Sequence, residues 1–94
     1  MSPVFLSDEL TLILQQHYQR LSEIEKQAIA QLSNENEPMS FAKLMVKYQG
    51  SHADLFKAIQ SLERRGMIER LKCESETVFT IQPVLKQYVK IVIA

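Results

Sequence analysis

The sequence predicts a mainly α-helical fold with a small β-hairpin, and three observations in its second half support this prediction. Residues 51–66 have the pattern of an amphipathic helix with a cap at each end. A shorter helix that Ser40 caps precedes it across Gln49 and Gly50, and two strand-like runs follow it. Helix, turn, helix and hairpin in this order are typical of a winged helix-turn-helix, here with an extra N-terminal helix and a C-terminal helix.

The central helix is the most strongly marked element. Ser51 is suited to cap its first N–H groups, and Asp54 places a negative charge at the positive end of the helix dipole. Leu55, Ile59 and Leu62 recur at helical spacing, so this face is expected to be buried. Gly66 is expected to end the helix.

The remaining elements follow from capping and turn signals within one predicted domain, 1–94. A first helix is expected over 7–21, with an apolar side formed by Leu6, Leu10, Ile13, Leu14, His17 and Leu21. Ser22 and Glu25 form a capping box, which opens the winged helix-turn-helix over 22–82. Met39 is expected to pair as a short strand. The wing strands are expected over 67–73 and 77–82, joined by Glu74, Ser75 and Glu76, and a last helix over 84–93.

Composition narrows the function classes. The 94 residues are 46% apolar and carry no net charge, which suits one globular domain. A single cysteine, Cys73, excludes an internal disulfide and a thiolate metal site. No apolar run reaches the roughly 20 residues of a membrane span, and the first residues lack a basic signal region. A soluble cytoplasmic protein is therefore expected.

Catalytic motifs are missing from the sequence. Gly50 and Gly66 are its only glycines, so it has no phosphate-binding loop, and no histidine pair has zinc-ligand spacing. His17 lies on an apolar helix side without a second ligand or nucleophile, so it is interpreted as a partly covered structural histidine. The chain is expected to be no enzyme and to bind no metal, and no cofactor is expected on this domain alone.

DNA binding is one function that the fold suggests. The polar residues suited to contact phosphates or bases lie on the central helix and wing: Ser51, His52, Lys57, Gln60, Arg64, Arg65, Arg70 and Lys72. However, the first helical turn offers Ala53 and Asp54, and the wing tip carries Glu74 and Glu76. Since phosphate neutralisation supplies most of the affinity for DNA, charge placement favours a solvated or protein-contacting face.

Several segments together resemble the winged-helix domain of the cyanobacterial-type STAND ATPases, which combine an NB-ARC nucleotide-binding module with WD repeats. The segments are residues 21–26 (LSEIEK), 37–40 (EPMS), 62–69 (LERRGMIE), 79–84 (FTIQPV) and 88–89 (YV). The resemblance implies a regulatory, protein-binding module that packs on the nucleotide-binding core in cis and holds an inactive state. It implies signalling through ADP or ATP only in a full-length protein.

The resemblance also marks one residue for nucleotide sensing. Relatives carry a Met-His-Asp segment whose histidine contacts the ADP phosphate, and the matching positions here are Ile81, Gln82 and Pro83. Gln82 is suited to donate an amide hydrogen bond but carries no charge, so sensing is doubtful and a purely structural role is favoured.

The last helix is the predicted protein interface. Leu85, Tyr88, Val89 and Val92 align on one side, and a domain of this size is not expected to bury all of them. The chain is either a fragment that packs on its own ATPase core or a free-standing relative that binds a partner chain. A homodimer, and hence a small dimerisation adaptor, is a further alternative.

Overall fold

The computed structural model describes residues 7–93, which form five α-helices and a three-stranded antiparallel sheet. In chain order, the elements are α1 (Asp8–Gln19), α2 (Glu23–Asn34), β1 (Met39–Ser40), α3 (Phe41–Lys47), α4 (His52–Arg64), β2 (Ile68–Cys73), β3 (Glu76–Ile81), α5 (Pro83–Tyr88) and a terminal π-helical turn (Val89–Ile93).

The helix starts lie where the serines predict them. The hydroxyl oxygens of four serines each accept a hydrogen bond from the backbone N–H three residues on, and these residues are Ser7, Ser22, Ser40 and Ser51. At α2 the box is complete, because the Ser22 N–H also donates to Glu25 Oε1 at 2.9 Å. Local hydrogen bonding of this kind satisfies N–H groups that the helix itself leaves free.

The sheet has the order β1-β3-β2. β2 and β3 form the predicted hairpin in a register that runs from Ile68 opposite Ile81 to Cys73 opposite Glu76. The predicted first strand is confirmed, because Met39 pairs with Phe79 on the other side of β3. Glu76 belongs to β3 rather than to the loop, so the wing turn is shorter than predicted. Glu74 occupies a left-handed conformation there, with φ 58°.

Two turns that each contain a glycine connect α3, α4 and β2. The Tyr48 ring lies against Gly50, where an added Cβ would come within 2.7 Å of Tyr48 Cε2. Gly66 ends α4 at φ 74°, a conformation that side-chain-bearing residues rarely adopt. The turn residues therefore fix how α3 and α4 meet and how α4 leads into the wing.

The core lies between α2, α4, the sheet and the last helix. Ile29 and Leu62 are fully buried, and Leu55 and Ile59, predicted as the inward side of α4, are buried beside them. Tyr88 from α5 completes this core at 1% exposure. Helix-turn-helix, three-stranded wing sheet and flanking helices together make this a winged-helix fold.

The terminal elements differ from the sequence prediction in extent and burial. α1 is shorter than the predicted 7–21, and Leu21 is buried after the helix has ended. The predicted helix 84–93 begins at Pro83 and changes from α to π geometry at Val89. Leu6 of the predicted apolar side lies outside the described residues. No helix within 7–93 is long and apolar enough to cross a membrane.

Candidate interaction surfaces

The outer face of α4 and the wing is the first candidate surface. α4 buries Leu55, Ala58, Ile59 and Leu62, which directs the opposite side of the helix to solvent. All eight residues of the predicted DNA-binding set are exposed: Ser51, His52, Lys57, Gln60, Arg64, Arg65, Arg70 and Lys72. The first of them, Ser51, is also the helix cap, so its hydroxyl oxygen already accepts from the Asp54 N–H.

Carboxylates interrupt this face. Asp54 is exposed in the first turn of α4, and Glu74 and Glu76 are exposed at the wing tip. Arg70 of β2 donates to Glu63 Oε1 of α4 at 2.9 Å, and its guanidinium lies 5.7 Å from the centre of the Phe79 ring. The positive charge of Arg70 is therefore already partnered within the domain, and the face has mixed sign.

The structure leaves only part of the predicted protein interface on the last helix exposed. Leu85, Tyr88 and Val89 are buried at 3%, 1% and 6% exposure, whereas Val92 is exposed. The first three are covered because α1 and α2 pack over this helix, and Val92 stays at the surface of a domain that was not expected to bury all four. Lys86 Nζ also donates to the Glu35 carbonyl at 3.0 Å, which fastens α5 to the end of α2.

Gln82 is the N-cap residue of α5. Its Oε1 accepts from the Leu85 N–H at 3.0 Å, and its own N–H donates to the Met67 carbonyl at 2.9 Å. Pro83 follows at the first helical position and has no N–H to offer. The side-chain oxygen of Gln82 is therefore engaged as a helix cap, and neither Gln82 nor Pro83 brings a positive charge to this point.

His17 lies in a different setting from the predicted one. It is exposed in the last turn of α1, where the sequence predicted partial cover by apolar neighbours. It lines a shallow depression together with Arg20, Arg65 and Met67. No sequence pattern indicates this grouping, because His17 and Arg65 are far apart in the chain and only the fold brings them together.

Glu25 is the one charged side chain that is buried among residues 7–93. Its exposure is 7%, and Oε2 has no hydrogen-bond partner among the described residues. Burial pushes its pKa up, but the Ser22 N–H, the nearby Ser61 and Ser22 hydroxyls and the charge of Arg65 outweigh burial and lower the pKa. The carboxylate is thus held ionised at the start of α2.

No group of three His, Cys, Asp or Glu side chains within residues 7–93 is arranged to hold a metal ion. Cys73 is an exposed free thiol at the end of β2.

Comparison with solved structures supports the winged-helix class. The chain superposes on the adhesin competence repressor AdcR of Streptococcus pyogenes with a TM-score of 0.65, 23% identity, 85% of this chain covered and 60% of that chain. This similarity shows the fold.

Comparison of sequences gives a longer relative. The chain is 32% identical over 87 residues to a WD repeat-containing protein of Nostoc sp. (strain PCC 7120). The match covers 90% of this chain but only 7% of that protein's length. No protein-family model matches the chain.

Proposed function

We propose that this winged-helix domain is a non-catalytic regulatory module that binds protein, packing on the nucleotide-binding core of a STAND (NB-ARC) signalling ATPase to hold an inactive state. The observation that carries the proposal is the mixed charge of the α4 and wing face, where Asp54, Glu63 and the wing-tip glutamates interrupt the cations. The similarity to one short part of a much longer WD repeat-containing protein supports the setting.

Physical chemistry separates protein binding from DNA binding on this face. A DNA-binding surface gains most of its affinity by releasing counterions from phosphates, and each exposed carboxylate that faces the backbone opposes that gain. A protein partner instead matches charges of both signs, and such complementarity sets the orientation of docking. Asp54 and Glu74 would therefore repel a duplex but serve as contacts for a protein surface.

The first experiment titrates the domain with random duplex DNA at low salt. We expect no binding in the micromolar range. Micromolar affinity that falls steeply as salt rises would reject the protein-binding module and establish a DNA-binding regulator.

The second experiment addresses the ATPase setting. The genomic reading frame around these codons should encode a phosphate-loop ATPase, and the domain added in trans to that separately produced core should slow ADP release. A reading frame without such a core, or a core whose ADP release the domain leaves unchanged, contradicts the proposed setting.

A DNA-binding transcriptional regulator is the second candidate, because eight polar residues of α4 and the wing are exposed and the fold is shared with a repressor.

A small dimerisation adaptor is the third candidate function. Its support is the exposed apolar end of the chain, where Ile91, Val92 and Ile93 are 62%, 47% and 45% exposed. A dimer mass in sedimentation that Val92→Lys abolishes would establish the adaptor.

A further inference from the structure

An amphipathic groove runs between α1 and the turn that joins α4 to β2. Apolar side chains form most of it, and these are Leu10, Ile13, Leu14, Met67, Val84 and Leu85. His17, Arg20 and Arg65 border it at one end, and Gln82 is the other polar side chain. None of its lining residues is acidic, in contrast to the α4 and wing face.

The groove is open to solvent because α1 packs against the core through only part of its apolar side. No residue of α1 is buried, although the helix has an apolar side, and Ile13 is 48% exposed. Leu14 and Tyr18 hold the helix on the core, with the Tyr18 and Tyr88 rings 6.1 Å apart. Among residues 7–93, no other element fully covers the rest of the apolar side of α1.

We propose that this groove docks a helical protein segment that presents leucine-like side chains beside carboxylates. Leu10, Ile13, Leu14 and His17 follow the spacing with which helices contact one another in grooves, and they extend about 10 Å along α1, two helical turns. The apolar floor takes the apolar side chains, and Arg20 and Arg65 take the carboxylates. This inference rests on the proposed protein-binding function and adds a second contact surface to the α4 and wing face.

The cationic end of the groove is held in a defined position. Arg65 is the C-cap of α4, and its backbone N–H bonds the Ser61 carbonyl at 3.0 Å. Gly66 then turns the chain away, which leaves the guanidinium beside α1. The charge of Arg65 also acts on Glu25, whose pKa it helps to lower.

Charge complementarity favours an acidic protein segment over a nucleic acid. Single-stranded nucleic acids bind chiefly to Phe, Tyr and Trp side chains on which bases stack, and none of these three residue types lines this groove. Duplex DNA presents no apolar side chains to fill a floor of leucine, isoleucine and methionine. A helix with both apolar and acidic groups satisfies both parts of the lining.

The test uses a fluorescein-labelled synthetic helix of about four turns, rich in alanine, with Leu at i, i+4 and i+7 and Glu beside each Leu. Anisotropy measures its affinity for the domain, and amide NMR shifts locate it. We expect binding, with the largest shifts at residues 10–17 and 65–67. Ile13→Glu and Arg65→Glu should each weaken it by about tenfold.

Matched controls make the result specific. Arg64→Glu reverses a charge on the same helix next to Arg65 but outside the groove, and it should leave the affinity unchanged. A peptide with Lys in place of Glu should bind at least about tenfold more weakly. Circular dichroism verifies that each variant is folded, which is expected because Ile13 and Arg65 are exposed.

Three outcomes would overturn the inference: no peptide binding, shifts away from the groove, or equal affinity for the acidic and basic peptides. Displacement of the peptide by duplex DNA at equal affinity would make the groove a nucleic-acid site instead. Loss of the groove alone leaves the proposed regulatory function intact, because the ADP-release experiment detects core binding through any surface.

Discussion

Arg70 on the wing and Glu63 on α4 are joined by an ion pair of 2.9 Å. Glu63→Gln would release Arg70 and remove one carboxylate from the face. We expect non-specific DNA affinity to rise at low salt, with a steeper salt dependence, because one more cation faces the duplex. The free energy of unfolding should change by less than about 1 kcal/mol, since both side chains are partly solvated.

Glu69→Gln is the matched control for this prediction. Glu69 is exposed on β2, the strand that carries Arg70, and Glu69→Gln changes the net charge by the same amount as Glu63→Gln. A rise in DNA affinity that is equal in both variants would show that net charge, rather than the release of Arg70, is responsible.

The capping box at Ser22 makes stability depend on pH. The pKa of Glu25 is lower in the folded chain than its ordinary value of 4.5, so the unfolded chain takes up this proton first as pH falls. The stabilisation is therefore complete above about pH 4.5 and is lost as pH falls through the folded-state pKa. Glu25→Gln should be less stable than wild type at neutral pH, and the difference should shrink in acid.

Urea unfolding at several pH values measures this difference. Glu23→Gln, an exposed neighbour in the same turn, provides the control for loss of charge. Ser22→Ala should cost about 1 kcal/mol through loss of the cap. A gap between wild type and Glu25→Gln that persists in acid would contradict the assigned role of the ionised carboxylate.

The buried residues of the last helix should contribute more to the free energy of unfolding than its exposed residues do. Leu85→Ala removes a side chain of 3% exposure and should lower the free energy of unfolding by about 2–5 kcal/mol. Val92→Ala, at 47% exposure, should change it by less than about 0.5 kcal/mol. Chemical denaturation measures both. If the wild-type domain self-associates and a folded Leu85→Lys variant does not, Leu85 would belong to an interface, as the sequence predicts.

Gly66→Ala tests the end of α4. A Cβ at this position meets no atom within 4 Å, so the change acts through the backbone conformation alone at φ 74°. We expect a loss of about 1 kcal/mol in unfolding free energy. Gly66→Asn should lose less, because asparagine tolerates the left-handed region. Equal losses for both variants would point to a cause other than φ.

Local signals predicted the elements well, and long-range cover was harder to predict. A serine followed by an apolar period sets a helix start through bonds within one turn, and this is why the starts after Ser7, Ser22, Ser40 and Ser51 agree with the structure. Periodicity also shows which side of a helix is apolar. It does not show whether another element covers that side, which depends on the whole topology.

The apolar sides of two helices illustrate this point. Leu85 of α5, which was predicted to lie at an interface, is buried, whereas Ile13 on the apolar side of α1 is 48% exposed. The candidate groove was missed for the same reason. His17 and Arg65 belong to separate helices, and only the packing of α1 beside the α4 turn brings them together.

The pairing of Met39 with Phe79 across the sheet has a consequence for folding kinetics. β2 and β3 are consecutive in the chain and form a hairpin through a short turn. β1 is separated from its partner β3 by α3, α4 and β2, so it can pair only after this intervening chain has folded back. Closing so long a loop costs entropy before any contact compensates it. We therefore expect the first half of the chain to dock onto a preformed hairpin late in folding, so that truncating Met39 accelerates unfolding more than it slows refolding.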